Sequence, residues 1–480
     1  MNILLKSFDG PYCRIITEAA LKGRKIGTCI SIMNHTREMP ELDAETHIWI
    51  PAKPLREGRY PDVDWNTITP LDAELIEAMR GCEALFLPML DRYARTVDLP
   101  YAERHRQYLE HLRYWSHTLD KEKIGLYLTN HYPHQCYDLV INDLCRHKGI
   151  PTRIVDRCFA VDGVFLVDRW QDSAVALKEH YAQLQRQYAD ATIPVPLSEY
   201  YENFYQEEVR RSESPWYTGK RDQHLLETSF LRKWSGRAIG MLRKKPKQFW
   251  ASVASPDFWS RKLGQHHAIA VYDAAVEVPD LTKPYIYAPL HMQPEETTSP
   301  RAGVFVRQEM IIQLLAACVP PGTFVYVKEH PAQGELCRNE DFYRSMKEFP
   351  NVVFVPRDFS TFDLMKHSIA VATATGTAGF EALFRGKPVL MFGDRFYKYA
   401  PGVFRIQTNQ DCRAALKRIM EEKVKPELRD MRIFLKAIDE TSVLYEGGPP
   451  NPSLEEIERR KKRAQGVGEY IHKELAPLFS

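Results

Sequence analysis

Threonines, histidines and carboxylates recur just beyond short apolar runs, which is where a site for a phosphorylated ligand is built. The run 369–374 leads into Thr375-Gly376-Thr377-Ala378-Gly379, a tight loop of small residues, and then into a helical pattern over 380–384. Strand, loop and helix start in that order leave several backbone N–H groups aimed at one spot, where the helix dipole favours an anion. The hydroxyls of Thr375 and Thr377 add donors, and Gly376 lets a phosphate approach the backbone closely. Glu381, one turn into the helix, can accept from ribose hydroxyls. The same residues would suit an ordinary strand–helix corner capped by Thr377, but Glu381 and the continuation GKPVLMFG favour a nucleotide-phosphate cradle.

Two further clusters follow apolar runs in the same way. Run 323–328 leads to Glu329-His330-Pro331, and run 284–290 leads to His291-Met292-Gln293-Pro294-Glu295. An imidazole at position 330 can donate to a phosphate oxygen, a charge-assisted bond of about 1.5–3 kcal/mol. As a cation it would offset charge developing on a departing group. His291 and Gln293 can bind a carboxylate or a base edge, and Glu295 sits in the same loop. Earlier in the chain, Asn130-His131-Tyr132-Pro133-His134 again follows an apolar run, with Asp138 one helical turn beyond His134. Either His134 or Asp138 can serve as a general base for a hydroxyl. Asp9 and Asp91, read as lying just past strand ends, compete for that role, although helix capping explains isolated Asp and Asn residues well.

These clusters need a scaffold of strands whose carboxyl ends lie side by side. Strand and helix patterns alternate over residues 1–170, with strands at 2–8, 26–32, 84–90, 124–128 and 152–155, and resume from 266 with strands at 284–290, 323–328, 352–355, 369–374 and 388–392. Such alternation predicts an α/β protein of two doubly wound, Rossmann-like parallel-sheet domains, in which ligands bind at the carboxyl ends of the strands. The domains are expected at 1–170 and 266–440, with a helical insert at 171–265 and a helical segment at 441–480. Residues 220–262 carry eleven Lys/Arg against three acids, interleaved with aromatics, which fits either a solvated insert or a face for an anionic membrane or polyanionic glycan.

The 480 residues carry a net charge of +2, so nothing pulls the chain as a whole towards nucleic acid. The nine cysteines show no CxxC pair, which argues for free thiols in a reducing compartment. No apolar run approaches the roughly 18 residues of a membrane span, and the N-terminus reads as a strand; a cytoplasmic location is expected. Neither metal-ligand spacing nor an early GxGxxG is present, so no metal and no separate cofactor are expected.

Taken in order, PLHMQPEETTSP, YVKEHP and TATGTAGFEALFRGKPVLMFG resemble bacterial capsule polysaccharide biosynthesis proteins, a group that includes transferases of Kdo, an acidic eight-carbon sugar. NHYPHQCYDLVINDLCRHKGIPT is similar to a segment of some of these proteins. The resemblance implies a glycosyltransferase of the two-Rossmann (GT-B) architecture, and the His-Pro pair is similar to the CMP-binding motif of bacterial sialyltransferases. Carried over, His330 and Pro331 would contact a CMP phosphate and cytidine, and Thr375 and Thr377 the phosphate. The sialyltransferases' acidic base motif has no convincing counterpart, so their base is not carried over. The implied partners are a nucleotide-sugar donor, expected to be a CMP-linked acidic sugar such as Kdo, and a glycan or lipid-linked acceptor at the inner face of the membrane. A nucleotide-sugar epimerase or hydrolase on the same architecture, or a non-catalytic glycan-binding or export protein, are the alternatives.

Overall fold

The computed structural model describes residues 1–35, 39–93, 99–158, 160–171, 174–211, 268–331, 333, 337–445 and 453–479, with isolated positions between 250 and 259. The chain divides into two compact units. Unit 1 takes Met1–Tyr93, Pro100–Phe204 and Arg432–Ser480, and unit 2 is built from Tyr205–Met431.

In unit 1 the strands are β1 (Asn2–Lys6), β2 (Ile26–Met33), β3 (Ala44–Pro51), β4 (Ile124–Thr129), β5 (Thr152–Cys158) and β6 (Gly163–Val167). Together with the short strand Val443–Leu444 they form a seven-stranded sheet in which β1 sits between β4 and β2. The strands from β1 to β5 are parallel, whereas β6 and Val443–Leu444 run antiparallel at one edge. Ile3, Leu5, Leu126, Leu128 and Val155 form a core with helix Pro11–Ala20 and the C-terminal helix Leu454–Leu475. The two helices approach so closely that a Cβ on Gly468 would meet the Ala19 Cβ at 2.5 Å, so only glycine fits there. Helix Tyr101–Lys121 buries Tyr108, Leu112, Trp115 and Leu119, one stripe at helical spacing.

Unit 2 contains β7 (Tyr285–Pro289), β8 (Phe324–Lys328), β9 (Val352–Val355), β10 (Ala370–Thr373), β11 (Val389–Met391) and β12 (Val403–Arg405). They form a wholly parallel sheet in the order β12-β11-β10-β7-β8-β9. Helices cover both faces of parallel sheets, so the central strands read as unbroken apolar runs such as AVAT and VLM, and these are buried throughout. The two sheets are the two Rossmann-like halves expected from the alternating pattern.

One expected strand is not a strand. Residues 84–90 belong mostly to helix Arg80–Met89, whose buried residues are Cys82, Phe86 and Met89. Those positions are four and three apart, the spacing of a helix face, and the run is rich in Ala, Leu and Met, good helix formers, in spite of Pro88 near the end of the helix. Strands β3, β6 and β12 were not expected: β3 is a half-exposed edge strand whose apolar run, Ile48-Trp49-Ile50, is short, and β12 is three residues long. Helices Val175–Gln187 and Glu199–Arg210 occupy the start of the expected helical insert, and almost all of the basic, aromatic stretch 220–262 lies outside the described residues.

Candidate functional site

The order of the unit 2 sheet sets the carboxyl ends of β10, β7 and β8 next to one another, with β11 beyond β10. The loops leaving β7 and β8 are tied together by one buried ion pair. Arg338 Nε lies 2.9 Å from Glu329 Oε2, and both side chains are fully buried. Tyr343 donates to the same carboxylate at 2.7 Å, and the His330 N–H donates to its other oxygen at 2.8 Å. The guanidinium also reaches the other loop, donating to the His291 carbonyl at 2.9 Å and to the Gln293 side-chain oxygen. Burial disfavours the Arg338 charge, but Glu329 beside it more than restores it and its pKa is raised. A guanidinium with five donors fixed in a plane can join two loops at once, with a directionality that the three rotatable donors of an ammonium lack.

His291 closes the third side. Its Nε2 accepts from the Ala374 N–H at 3.0 Å and lies 2.9 Å from the Thr373 hydroxyl, whose oxygen accepts the Gly376 N–H at 3.0 Å. An imidazole nitrogen that accepts a backbone N–H is unprotonated, so the ring is neutral with its proton on Nδ1. Burial, reinforced by the charges of His330, Arg338 and Arg395, pushes its pKa down to about 3. Gly376 packs against the ring: a Cβ there would meet His291 Cε1 at 2.7 Å.

This geometry alters several parts expected from the sequence. Part of the loop's N–H inventory is taken up by His291 and Thr373, and the helix that follows, Thr377–Leu383, has only seven residues. An open cradle of unpaired backbone donors is therefore not what the loop presents. Thr375 is buried, its hydroxyl donating to the Thr297 carbonyl at 2.6 Å, whereas Thr377 is exposed. Gln293 is committed to the loop as well, donating to the Val306 carbonyl at 2.8 Å and accepting from Gln308 at 3.0 Å. Gln293 and Thr375 thus position the loops instead of offering their polar atoms to a ligand, and His291 does so through Nε2. Glu295 and Pro331 are half-buried on the same loops, and His330 is half-buried between Glu329 and Gln333. The Glu381 carboxyl is pushed up by burial, which outweighs the pull of Arg385 and the Thr377 hydroxyl.

Unit 1 has its own polar edge at the end of β4. Asn130 is buried and donates to the Ser7 carbonyl at 3.2 Å, fastening the end of β4 to that of β1. Asp138, at the start of helix Tyr137–His147, is fully buried against the Lys6 ammonium, 2.6 Å away. Its two oxygens also accept from the N–H groups of His134 at 3.1 Å and Gln135 at 2.8 Å. Burial works against its charge, but Lys6 and His134 prevail and the pKa is lowered. A carboxylate so enclosed orders the loop 130–136; it has no access to a substrate hydroxyl, and the expected general base is not Asp138. His134 is half-buried, with Nδ1 2.7 Å from the Tyr132 carbonyl, so that nitrogen carries the proton. The tautomer leaves Nε2 as the basic nitrogen. Asp9 accepts the Asn34 N–H at 2.6 Å, and Asp91 pairs with Arg104 at 2.7 Å on a turn that follows a helix, so it does not mark a strand end.

The ion pairs Lys6–Asp138 and Glu329–Arg338 were not anticipated. A lysine or glutamate at the end of an otherwise apolar strand (NILLK, VYVKE) was the available signal for one member of each, but Arg338, nine residues after Glu329, has no local signature. Among the described residues no group of three or more His, Cys, Asp or Glu is placed to hold a metal ion. Nor is any helix among them long and apolar enough to cross a membrane.

Solved structures similar to this chain include UDP-GlcNAc 2-epimerase from Neisseria meningitidis bound to UDP-GlcNAc, 12% identical over 99% of this chain and 100% of that one, with a TM-score of 0.25. Thermosulfurimonas dismutans KpsC is another, as a beta Kdo 2,7 transferase, 12% identical over 72% of this chain and 94% of that one, TM-score 0.27. Its beta Kdo 2,4 transferase is 15% identical over 65% and 87%, TM-score 0.26. Likeness at this level says nothing of activity. No curated protein matches the chain. The family model for capsule polysaccharide biosynthesis proteins matches residues 303–437, which run from the loop after β7 through β8 to β12 and include His330, the Thr375–Thr377 loop and Glu381. Through this segment the chain is similar to capsule polysaccharide biosynthesis proteins.

Proposed function

We propose that the protein is a glycosyltransferase of the GT-B kind that moves a sugar from a nucleotide donor onto a growing capsule or related surface polysaccharide, with Kdo or another acidic sugar on CMP as the donor. The observation that carries this reading is the adjacency of three strand ends in unit 2, β10, β7 and β8, whose loops are stitched together around His291 and Arg338, with β8, β10 and Arg338 inside the segment that is similar to the capsule family. A parallel sheet binds ligands at such ends.

In this scheme unit 2 holds the donor. His330, carried on a loop anchored by Glu329, donates to the donor phosphate and offsets charge on the departing nucleotide. Thr377, whose side chain is exposed, contacts the phosphate from the β10 loop, and Glu295, Pro331 and Glu381 complete the donor surface. Unit 1 serves the acceptor, with His134 Nε2 taking the proton of the attacking hydroxyl. The basic, aromatic stretch 220–262 suits contact with an anionic membrane, where a lipid-linked acceptor would lie.

The test is transfer from CMP-Kdo, UDP-sugar and GDP-sugar donors to capsule oligosaccharide, read as extended product. His330→Ala should lower kcat/KM about 10- to 150-fold, the value of one charge-assisted hydrogen bond, without moving the melting temperature. Epimer or free sugar from donor alone, with no extended product, would replace this reading by the epimerase or hydrolase one.

A further inference from the structure

Most cations near the β10 loop have a matching carboxylate. Arg338 is answered by Glu329, and Lys398 lies 2.6 Å from Asp394. Glu296 is shared: its Oε1 lies 2.7 Å from Arg301 Nε and 3.8 Å from Arg395 Nη1. Two guanidiniums therefore face one carboxylate. Arg301 takes the close position, and Arg395 is left with a long ion pair and an Nη1 that is buried and has no hydrogen-bond partner among the described residues. Only 7% of Arg395 is exposed. Asp394, its neighbour in sequence, is engaged by Lys398.

An arginine does not discharge by losing a proton, so its burial without a full partner is unfavourable until an anion arrives. The charge also lies beside the β10 loop. It acts on both His291, which accepts the Ala374 N–H, and Tyr397, which donates to the Gly376 carbonyl. Arg395 follows β11, whose carboxyl end neighbours that of β10 in the sheet. A guanidinium nitrogen left without a hydrogen-bond partner is matched by an oxyanion that accepts its N–H bonds.

We infer that Arg395, backed by Arg301 through the shared carboxylate of Glu296, binds the phosphate of the nucleotide at the β10–β11 strand ends. The inference rests on the proposed donor-binding role of unit 2 and gives that role its main cation. It also accounts for the loop's own donors being turned inward: the phosphate's charge is met by a side chain after β11 in place of an open backbone cradle.

Calorimetric titration of the full chain with CMP and with UDP, each beside its nucleoside, tests this. Arg395→Met should weaken whichever nucleotide the wild type binds about 10- to 100-fold while changing nucleoside affinity less than about twofold. Arg395→Lys, which keeps the charge but not the fork, should fall between. If Arg395→Met does not fold, the same difference is read from Arg395→Lys. Nucleotide affinity unchanged in the variants, or nucleotide and nucleoside weakened alike, overturns the inference while leaving the functional reading in place. A loss seen with CMP-Kdo but not with CMP overturns it too, and assigns Arg395 to the sugar carboxylate. Wild-type protein that binds neither CMP nor UDP sinks both this inference and the donor-binding reading.

Discussion

In unit 1 the Asp138 carboxylate takes the Lys6 ammonium and the N–H groups of His134 and Gln135. In unit 2 the Glu329 carboxylate takes the Arg338 guanidinium, the Tyr343 hydroxyl and the N–H of His330. Each unit thus fixes a histidine-bearing loop with a buried carboxylate that accepts from the backbone of the loop. The cations differ, and so does the reach of the device. Lys6 is a point charge that answers one carboxylate, so order in unit 1 stays with the loop 130–136. Arg338 spreads its donors over Glu329, the His291 carbonyl and Gln293, so one residue holds two loops in register. A site that must bring together loops from several strand ends gains more from an arginine at its centre than from a lysine.

Removing that arginine is the strongest way to break the comparison. Arg338→Ala should cost about 3–5 kcal/mol, because Glu329 is left buried and unpaired, and should abolish nucleotide binding as both loops loosen. Lys6→Ala should cost about as much, yet leave nucleotide affinity within about threefold, since the carboxylate it answers orders only the loop 130–136 of unit 1. Urea unfolding and calorimetric titration of both variants check this; equal loss of binding in the two would end the distinction.

Gly376→Ala probes how closely the β10 loop is held. The added methyl would stand 2.7 Å from His291 Cε1 and 3.0 Å from the Thr373 hydroxyl, so the ring or the loop must shift. A destabilisation of about 1–3 kcal/mol and a clear loss of nucleotide affinity are expected. A variant with wild-type melting temperature and affinity would show that the ring is not held as described.

The pH dependence offers a finer test, because each unit buries one neutral histidine. Burial is the chief cause of the lowered pKa of both His291 and His111, each held at about 3 against an ordinary 6.5. The unfolded chain therefore takes up protons near pH 6.5 that the native form refuses until about pH 3. The stabilisation is complete above pH 6.5 and is lost as pH falls through that window, by up to about 2 kcal/mol per histidine on going from pH 7 to pH 5. His291→Gln should flatten this dependence in unit 2 and leave that due to His111 in unit 1. Unfolding curves at the two pH values, with and without the substitution, supply the difference. The smallest effect belongs to Asp91→Asn: its ion pair with Arg104 is at the surface, with the Asp91 side chain 39% exposed, so stability should change by less than about 1 kcal/mol and transfer activity not at all. A large loss of transfer would restore Asp91 as a candidate base.

The strand ends of unit 2 were legible because parallel strands buried on both faces read as apolar runs, and the residue after such a run stands at the edge where ligands bind. That reasoning located His291, His330 and the Thr375–Thr377 loop without any knowledge of the sheet order. It failed at 84–90, where an apolar run of strand length turned out to show its burial at helical spacing. It failed differently at Asp138, which stands in the first turn of a helix that begins only at Tyr137, after His134, and whose carboxylate faces Lys6 on the first strand, more than a hundred residues away.

Sequence alone determined the α/β character, the two successive sets of strands and the polar residues at their carboxyl ends, since hydrophobic periodicity and loop composition are local properties. Tertiary structure decided which of those polar residues face each other. Whether Thr375 presents its hydroxyl to a ligand or donates to Thr297, and whether His291 is a cation or a neutral acceptor of a backbone N–H, depends on groups brought together from distant strands. Arg338 and Arg395 belong wholly to that second kind: the one pairs with Glu329, and the other is left without a full partner because Arg301 occupies Glu296. Charge pairing falls off over a few ångströms in space, and it is the sheet order, not the spacing along the chain, that sets those distances.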